Sequence, residues 1–316
     1  MIVNGVLNLN KPVGPTSMDV VRSVKRLTQV DKIGHGGTLD PIASGVLPIF
    51  LGQATKLMRY LVDGTKIYRA KLKFGETTDT LDSTGIVVAN RDPSGVTLQQ
   101  IEEALDQFKG SILQVPPMYS ALKVKGARLY TLARAGVDIA REPRAVEVSR
   151  IDLKSWEFPE ATVEIECGRG FYVRSFAHDL GELLGCGAHL TALTRLRAGP
   201  LEICNASTMD AFQLATRDNV WQDWLLPMDI LVGHLPAIVA DPSMVAVVRQ
   251  GRSVILKEWT ESQTLTSEQS RLYTQNGRLL ALGHYDKKIG MWKPDLVFNS
   301  EPEPPSRKGP RMSGAS

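Results

Sequence analysis

Three features of the 316-residue sequence predict an α+β protein. Residues 67 to 74 alternate apolar and polar side chains, the period of a half-buried strand. Val20, Val21, Val24 and Leu27 recur at the spacing of one helix face, and an Asn276-Gly277 pair flanked by apolar residues marks a hairpin. Hydrophobic residues make up 43% of the chain and charged residues 22%, a balance that supplies a sizeable core and excludes wholesale disorder, collagen-like structure and long coiled coil.

Taken in order, the opening GVLNLNKPVGPTS carries Val6, Leu7 and Leu9 before its Pro and Gly and reads as a short strand entering a turn. Thr16 or Ser17 then caps the first helix. From Asp31 to Gly52 the chain is rich in Gly and Pro with little periodicity, the signature of loops that approach a ligand. The alternating strand places Tyr68, Ala70, Leu72 and Phe74 on one face and Arg69, Lys71 and Lys73 on the other. A helix follows through Leu98, Ile101, Leu105 and Phe108, and a strand over residues 162 to 167. RSFAHDLGELLG, residues 174 to 185, sets Phe176, Leu180, Leu183 and Leu184 on a helical stripe and ends at Gly. A helical pattern over residues 207 to 226, containing Trp221 and Trp224, closes a main domain expected to span residues 1–240. Residues 241–298 are expected to form a small β-rich domain, and 299–316, rich in Pro, Ser and charge with little apolar content, a disordered tail. No internal repeat is visible.

Several classes are excluded. The longest apolar runs, such as GVLPIFLG, are broken by Pro and Gly and fall short of the roughly 18 residues a membrane span needs. The N-terminus lacks a basic region followed by a hydrophobic stretch, so no secretory signal is expected and the protein is placed in the cytoplasm. Three cysteines, Cys167, Cys186 and Cys204, are an odd number without CxxC spacing; they are expected as core or near-core thiols rather than as a disulfide framework or zinc site. His178 and His189 lack the i, i+4 spacing of a helical metal pair, and no metal is expected. The formal net charge of +3 conceals an asymmetry: residues 1–75 hold 11 Lys and Arg against 4 acids, and Met118 to Arg150 hold seven against three. Such clustering suits a polyphosphate partner and equally a solvated basic surface.

The most distinctive stretch is KIGHGGTLDPIASGVLP, residues 32 to 48. It lacks the Gly-Lys-Ser/Thr ending of a phosphate-binding P-loop, which argues against a nucleoside triphosphate. It offers one carboxylate, Asp40, held extended by the following Pro41. A carboxylate there is a turn-capping residue or a nucleophile or base. A nucleophile must stay ionised once a substrate displaces its water, and a nearby guanidinium lowers its pKa. CGRGFYVRSF supplies Arg169 and Arg174 for that purpose, Arg174 at a strand-to-helix junction; either is otherwise a surface or packing arginine.

GHGGTLDP with SGVLP downstream, KIYRAKLKFGETTDTLDSTG, and CGRGFYVRSFAHDLGELLGCGAHLTALTRL together resemble the bacterial tRNA pseudouridine synthase B family (TruB). GVLNLNKPVGPTS also fits the family's N-terminal signature, with Lys11 and Pro12 in its Lys-Pro-x-Gly element. The motifs cover about residues 4 to 230 in the family's order. The resemblance implies the pseudouridine synthase fold, a mixed, largely antiparallel β-sheet flanked by helices and loops, plus a small C-terminal RNA-binding domain; the pattern of residues 241–298 is compatible with a PUA-like fold. It implies isomerisation of uridine 55 in the tRNA T loop to pseudouridine by base flipping, with no cofactor. By the same resemblance Asp40 matches the nucleophile, Arg174 the arginine that pairs with it, and Tyr68 the tyrosine that stacks on the base and can act as a base. Residue periodicity alone makes Tyr68 equally an ordinary core tyrosine.

His35 matches the histidine that holds the flipped nucleotide, Asp82 (with Asp79 nearby) a polar cleft residue able to bond RNA, Leu193 an apolar wall of the uracil pocket, and Lys56 a basic residue of the substrate face. The basic stretch matches a mobile arm that orders on RNA, which assigns Lys123, Lys125 and Arg128 to the RNA backbone. The expected partner is the tRNA T arm; no guide RNA and no membrane are expected, and the protein is expected to be a monomer. Two routes stay open, attack of Asp40 at C6 of the base or glycosidic cleavage with a sugar-derived intermediate. Two other activities share these residues: a tRNA-binding or folding protein with lapsed or secondary catalysis, and an N-glycosidase using Asp40 and Asp82.

Overall fold

A computed structural model describes residues 3–120, 122–124, 127–134, 136–137, 139–256 and 269–298. Lys125 and the tail 299–316 therefore lie outside the described residues. The chain divides into two compact units, Val3–Leu231 and one beginning at Val232.

In the first unit β1 (Gly5–Lys11) leads into α1 (Ser17–Thr28). Thr16, not Ser17, caps that helix: its hydroxyl accepts from Asp19 N at 3.1 Å while the Asp19 carboxylate accepts from Thr16 N at 3.0 Å, a reciprocal capping box. Val20, Val21 and Val24 turn the apolar face of α1 into the core. There follow β2 (Ile33–His35), β3 (Ala43–Leu51), α2 (Met58–Asp63), β4 (Lys66–Phe74), the short pair β5 (Glu76–Thr78) and β6 (Val87–Asn90), α3 (Leu98–Asp106) and β7 (Gly110–Gln114). A small hairpin, β8 (Lys123–Val124) and β9 (Ala127–Arg128), makes Lys123 and Arg128 backbone partners and leads into α4 (Leu129–Arg134). The unit is completed by β10 (Arg144–Glu157), β11 (Glu160–Cys167), α5 (Val173–Leu183), β12 (Ala188–Ala198), β13 (Leu201–Glu202), β14 (Ser207–Thr208) and α6 (Met209–Arg217).

One ten-stranded sheet organises these elements, in the order β14-β1-β3-β12-β4-β11-β10-β7, with β2 on β3 and β13 on β12. Two of its pairings, β1 with β14 and β3 with β12, are parallel and the rest antiparallel, the mixed, largely antiparallel sheet that was expected. Register places the site. Lys11 on β1 faces Gly45 on β3, Gly45 faces Arg195 on β12, and Arg195 faces Tyr68 on β4. One step along, Ala43, Leu193 and Ala70 form the next row on the same face.

Three local expectations are corrected. The stretch from Asp31 to Gly52 is only partly loop: eight of the nine residues of β3 are buried. A central strand covered on both faces reads as a continuous apolar run, so it gives no alternation to detect. The helical pattern over 207–226 breaks into β14, α6 and a 3-10 turn at Trp221–Trp224, because Asn219 adopts φ 59° and ends the helix. Cys167 and Cys186 are buried thiols, but Cys204 is exposed.

The second unit has β15 (Ala237–Val239), α7 (Pro242–Arg249), β16 (Gln269–Tyr273), β17 (Leu279–Asp286) and β18 (Met291–Val297), paired in the order β15-β16-β17-β18. Asn276 and Gly277 lie in the β16–β17 turn, where Gly277 alone takes positive φ, 75°. Trp292 fills the core of this unit and donates from Nε1 to Ser270 Oγ at 2.8 Å. Among the described residues no helix is long and apolar enough to cross a membrane.

Gly45 on β3 lies against the Arg195 backbone of β12. It has φ +103°, and a Cβ there would stand 2.3 Å from the Arg195 carbonyl oxygen. Gly45→Ala is expected to destabilise the protein by roughly 2 to 4 kcal/mol, from positive-φ strain plus the clash, read as a lower denaturant midpoint at unchanged m-value.

Candidate active site

A cavity of about 280 Å³ opens where the β2–β3 loop, β4, β12 and the turn before α5 meet. Asp40, Tyr68, Arg174 and Leu193 all line it, together with Lys66, Arg169 and Arg195. The loop that presents Asp40 is pinned on both sides. Ser17 Oγ accepts from Leu39 N at 2.8 Å and donates to Leu39 O at 3.0 Å, Gly14 N donates to Pro41 O at 2.8 Å, and Ala43 N donates to Asp40 O at 3.0 Å. The GPTS turn before α1 thus holds the residues flanking the carboxylate.

Arg174 is the hub of the site. Placed in the first turn of α5, it pairs through Nη2 with Asp40 Oδ2 at 2.9 Å. Nη2 also donates to Tyr119 O at 2.6 Å, Nη1 donates to Thr80 O at 3.2 Å, and Nε lies 3.7 Å from Asp82 Oδ2. The Arg174 side chain is 6% exposed and that of Asp40 36%, so the ion pair has its cation inside and its carboxylate at the cavity. Arg169 does not make this pair; it reaches Asp63 Oδ1 at 2.9 Å.

Asp82 is buried behind Arg174 and does not line the cavity. Its Oδ1 accepts from Thr80 Oγ1 at 2.8 Å, Thr84 N at 3.0 Å and Thr84 Oγ1 at 2.5 Å. Asp79 accepts from Ile86 N at 2.8 Å within the same turn.

Electrostatics differ from the simplest expectation. Burial pushes the Asp40 pKa above its ordinary value, Arg174 and Lys11 pull it down, and Asp82 pushes it up. The guanidinium offsets desolvation without overriding it. Lys11, fully buried, donates to Pro12 O at 2.9 Å and Pro15 O at 2.8 Å, and burial brings its pKa down to about 8 against the pull of Asp40. Tyr68 is half-buried, and desolvation raises its phenol pKa, with Arg195 opposing.

Neither His35 nor Lys56 lines the cavity. His35 sits on β2 just ahead of the Asp40 loop; its Nδ1 is buried with no hydrogen-bond partner among the described residues, and burial lowers its pKa. Lys56 lies in the 3-10 turn Gly52–Leu57, where Nζ donates to Gln53 Oε1 at 3.1 Å. Among the described residues no group of three or more His, Cys, Asp or Glu is placed to hold a metal ion. Sequence reasoning missed Arg195, Lys66 and the Ser17 clamp. The available signal for Arg195 was its spacing, two residues past Leu193 and therefore on the same strand face.

The family model for the N-terminal domain of TruB family pseudouridylate synthases matches residues 25–173, and that for the tRNA pseudouridylate synthase B C-terminal domain matches residues 174–233. The chain belongs to the TruB family. Among its relatives, a protein of Dehalococcoides mccartyi (strain CBDB1) named tRNA pseudouridine synthase B is 38% identical over 303 residues, 96% of this chain and 99% of that protein. One of the same name from Thiobacillus denitrificans is 49% identical over 252 residues, 80% and 84% of the two chains. A chain in the crystal structure of a Cbf5–Nop10–Gar1 complex superposes with TM-score 0.69 at 27% identity, covering 93% of this chain and 84% of that one. The TruB match spans the Asp40 loop, β4 and the start of α5, and the boundary between its two family models falls at Arg174.

The Asp40 carboxyl is expected to titrate above the ordinary aspartate range, and higher still in Arg174→Gln, where the strongest opposing charge is gone. Carboxyl-carbon NMR, with Asp40→Asn to assign the resonance, checks this. An ordinary or depressed value in the wild type would contradict the balance described.

Proposed function

We propose that this chain is a tRNA pseudouridine synthase whose cavity receives uridine 55 of the T loop. The observation that carries the reading is the pairing of Asp40 with buried Arg174 on a cavity also walled by Tyr68 and Leu193, in a member of the TruB family. Curated relatives bearing the name tRNA pseudouridine synthase B support the activity and the tRNA substrate. Uracil atoms C5 and C6 and the sugar C1′ are hidden in a stacked loop, so the nucleotide must be extruded at a cost of a few kcal/mol. A cavity of this size suits one flipped base.

In this reading Asp40 is the nucleophile, kept ionised by Arg174, which Asp82 and the Thr80 and Tyr119 carbonyls hold in place. Tyr68 and Leu193 bracket the base. The N1–C1′ bond breaks, the base turns, C5 bonds to C1′, the proton on C5 leaves and N1 gains one. No cofactor is required, since atoms and electrons balance within the substrate. His35 and Lys56 are assigned to the RNA around the flipped nucleotide, and Lys11 tunes the charge of Asp40. Lys123, Lys125 and Arg128 supply backbone affinity, and the small C-terminal unit is a second RNA-contacting element. The protein works as a monomer in the cytoplasm without a guide RNA.

Incubation with unmodified tRNA and mapping at nucleotide resolution is expected to show pseudouridine at position 55. Asp40→Asn is expected to lower the rate by at least roughly 10³-fold, as loss of a covalent nucleophile does, with tRNA affinity little changed. Free uracil would point instead to N-glycosidase chemistry, and an unmodified T loop would overturn the reading. Replacing Lys123, Lys125 and Arg128 with Gln is expected to weaken tRNA binding and flatten the log K against log salt slope by about one for each phosphate no longer neutralised; an unchanged slope would remove them from the RNA interface.

A further inference from the structure

Arg195 is a cation of the cavity wall to which neither motif nor resemblance gives a role. It is 1% exposed, and its backbone partners are Gly45 on β3 and Tyr68 on β4. Its Nε donates to Val46 O at 2.7 Å and its Nη2 to Gly37 O at 3.1 Å, so one guanidinium ties the chain on both sides of Asp40 to β12. Tyr68 stands directly opposite Arg195 on the adjoining strand β4, and both line the cavity. Gly37 leaves room for it: with φ +104°, a Cβ there would press on Arg195 Nη1 at 3.3 Å. None of the ion pairs among the described residues includes Arg195. A buried charge without a carboxylate partner is costly, and a purely packing role would be served better by an apolar side chain.

We propose that Arg195 is a positioning residue of the reaction, its planar fork fixing the spacing between the Asp40 loop and Tyr68 so that carboxylate and phenol meet one nucleotide in register. The proposal rests on the function assigned above. Among the described residues Arg174 is the one side chain paired with the Asp40 carboxylate, and Tyr68 extends from β4, two strands along the sheet from β3. The fork shape matters. Lysine keeps the charge but offers a single point donor, which cannot hold Val46 O and Gly37 O together beside Tyr68.

The test is single-turnover pseudouridine formation on unmodified tRNA, with tRNA affinity measured in parallel, for wild type, Arg195→Lys, Arg195→Met, Tyr68→Phe and the double variants. Because misplacing reacting groups by about 1 Å costs on the order of 100-fold, Arg195→Met is expected to slow the step about 100-fold with affinity within about threefold, and Arg195→Lys to recover about tenfold of that. In the Tyr68→Phe background the cost of Arg195→Met is expected to shrink at least about fivefold, since the phenol being positioned is already gone. A wild-type rate in Arg195→Met, an equal loss of tRNA affinity, or an undiminished cost in the Tyr68→Phe background would overturn the proposal while leaving the assigned function standing. Absence of product with wild-type protein would overturn both. If Arg195→Met fails to fold, as read by its circular dichroism melt, the cycle is run with Arg195→Lys. Its roughly tenfold cost is then expected to fall below about twofold beside Tyr68→Phe, and persistence of the full cost would overturn the proposal.

Discussion

The ion pair between Asp40 and Arg174 sets the terms for the rest of the site. A carboxylate at a cavity lined by Tyr68, Leu193 and the Arg174 turn loses hydration, and burial drives its pKa up. The remedy is a guanidinium placed where it cannot swing away. Arg174 has both terminal nitrogens engaged with backbone carbonyls at Thr80 and Tyr119 while Nη2 also meets Asp40. Such a donor set orients the cation without spending it. Asp82 adds a second negative charge, its Oδ2 3.7 Å from Arg174 Nε, and its own Oδ1 is held by Thr80 and Thr84. That charge works in two directions at once: it anchors Arg174 and raises the pKa of Asp40.

Rigidity of the nucleophile's loop follows from its anchors more than from its composition. GHGGTLD would be floppy as an isolated peptide, yet in the folded chain Leu39 is clamped by Ser17, Pro41 by Gly14, and Gly37 by Arg195. Three different elements, α1, β12 and the turn after β1, thus converge on seven residues from Gly36 to Ile42. Each group they hold is a backbone N–H or carbonyl, so the loop's path is fixed while the Asp40 side chain, paired with Arg174, lines the cavity. Preorganisation of that kind removes the entropy a mobile carboxylate would lose on reaching its reacting geometry.

Parts of this arrangement were legible in the sequence for definite reasons. The alternation through Tyr68, Ala70, Leu72 and Phe74 is a local property of β4, and the structure retains it with Ala70, Leu72 and Phe74 buried. Thr16 with Asp19 three residues on is likewise a local capping signal. Asp40 stood out because Pro41 and its Gly-rich neighbours restrict it, although its role as turn residue or reactive group could not be separated locally. Local residue chemistry offered both Arg169 and Arg174, and the family resemblance chose Arg174; in the structure Arg174 reaches Asp40 and Arg169 reaches Asp63. β3 was hidden because strands buried on both faces carry no alternation. Arg195 was hidden because its partners, Gly37, Val46 and Tyr68, lie more than a hundred residues away along the chain, and no periodicity encodes a contact of that range.

The charge distribution along the chain acquires a physical meaning in three dimensions. The basic excess of residues 1–75 includes Lys11 and Lys66, and β12 and α5 add Arg195 and Arg174 to the same neighbourhood, against the carboxylates Asp40 and Asp82. Lys11 and Lys66 are both brought down to about 8 by burial, with Arg195 contributing to each. Cations crowded together at this cost are not there to stabilise the empty fold, since each opposes the protonation of the next. In the function proposed, an occupant that brings negative charge offsets that cost. A nucleotide supplies it twice, in the phosphates at its two ends and in the electrons left on N1 when the glycosidic bond opens. In the proposed reaction the phosphate charges are met already in the bound ground state, and only the charge that develops on N1 can lower the barrier by being met in the transition state.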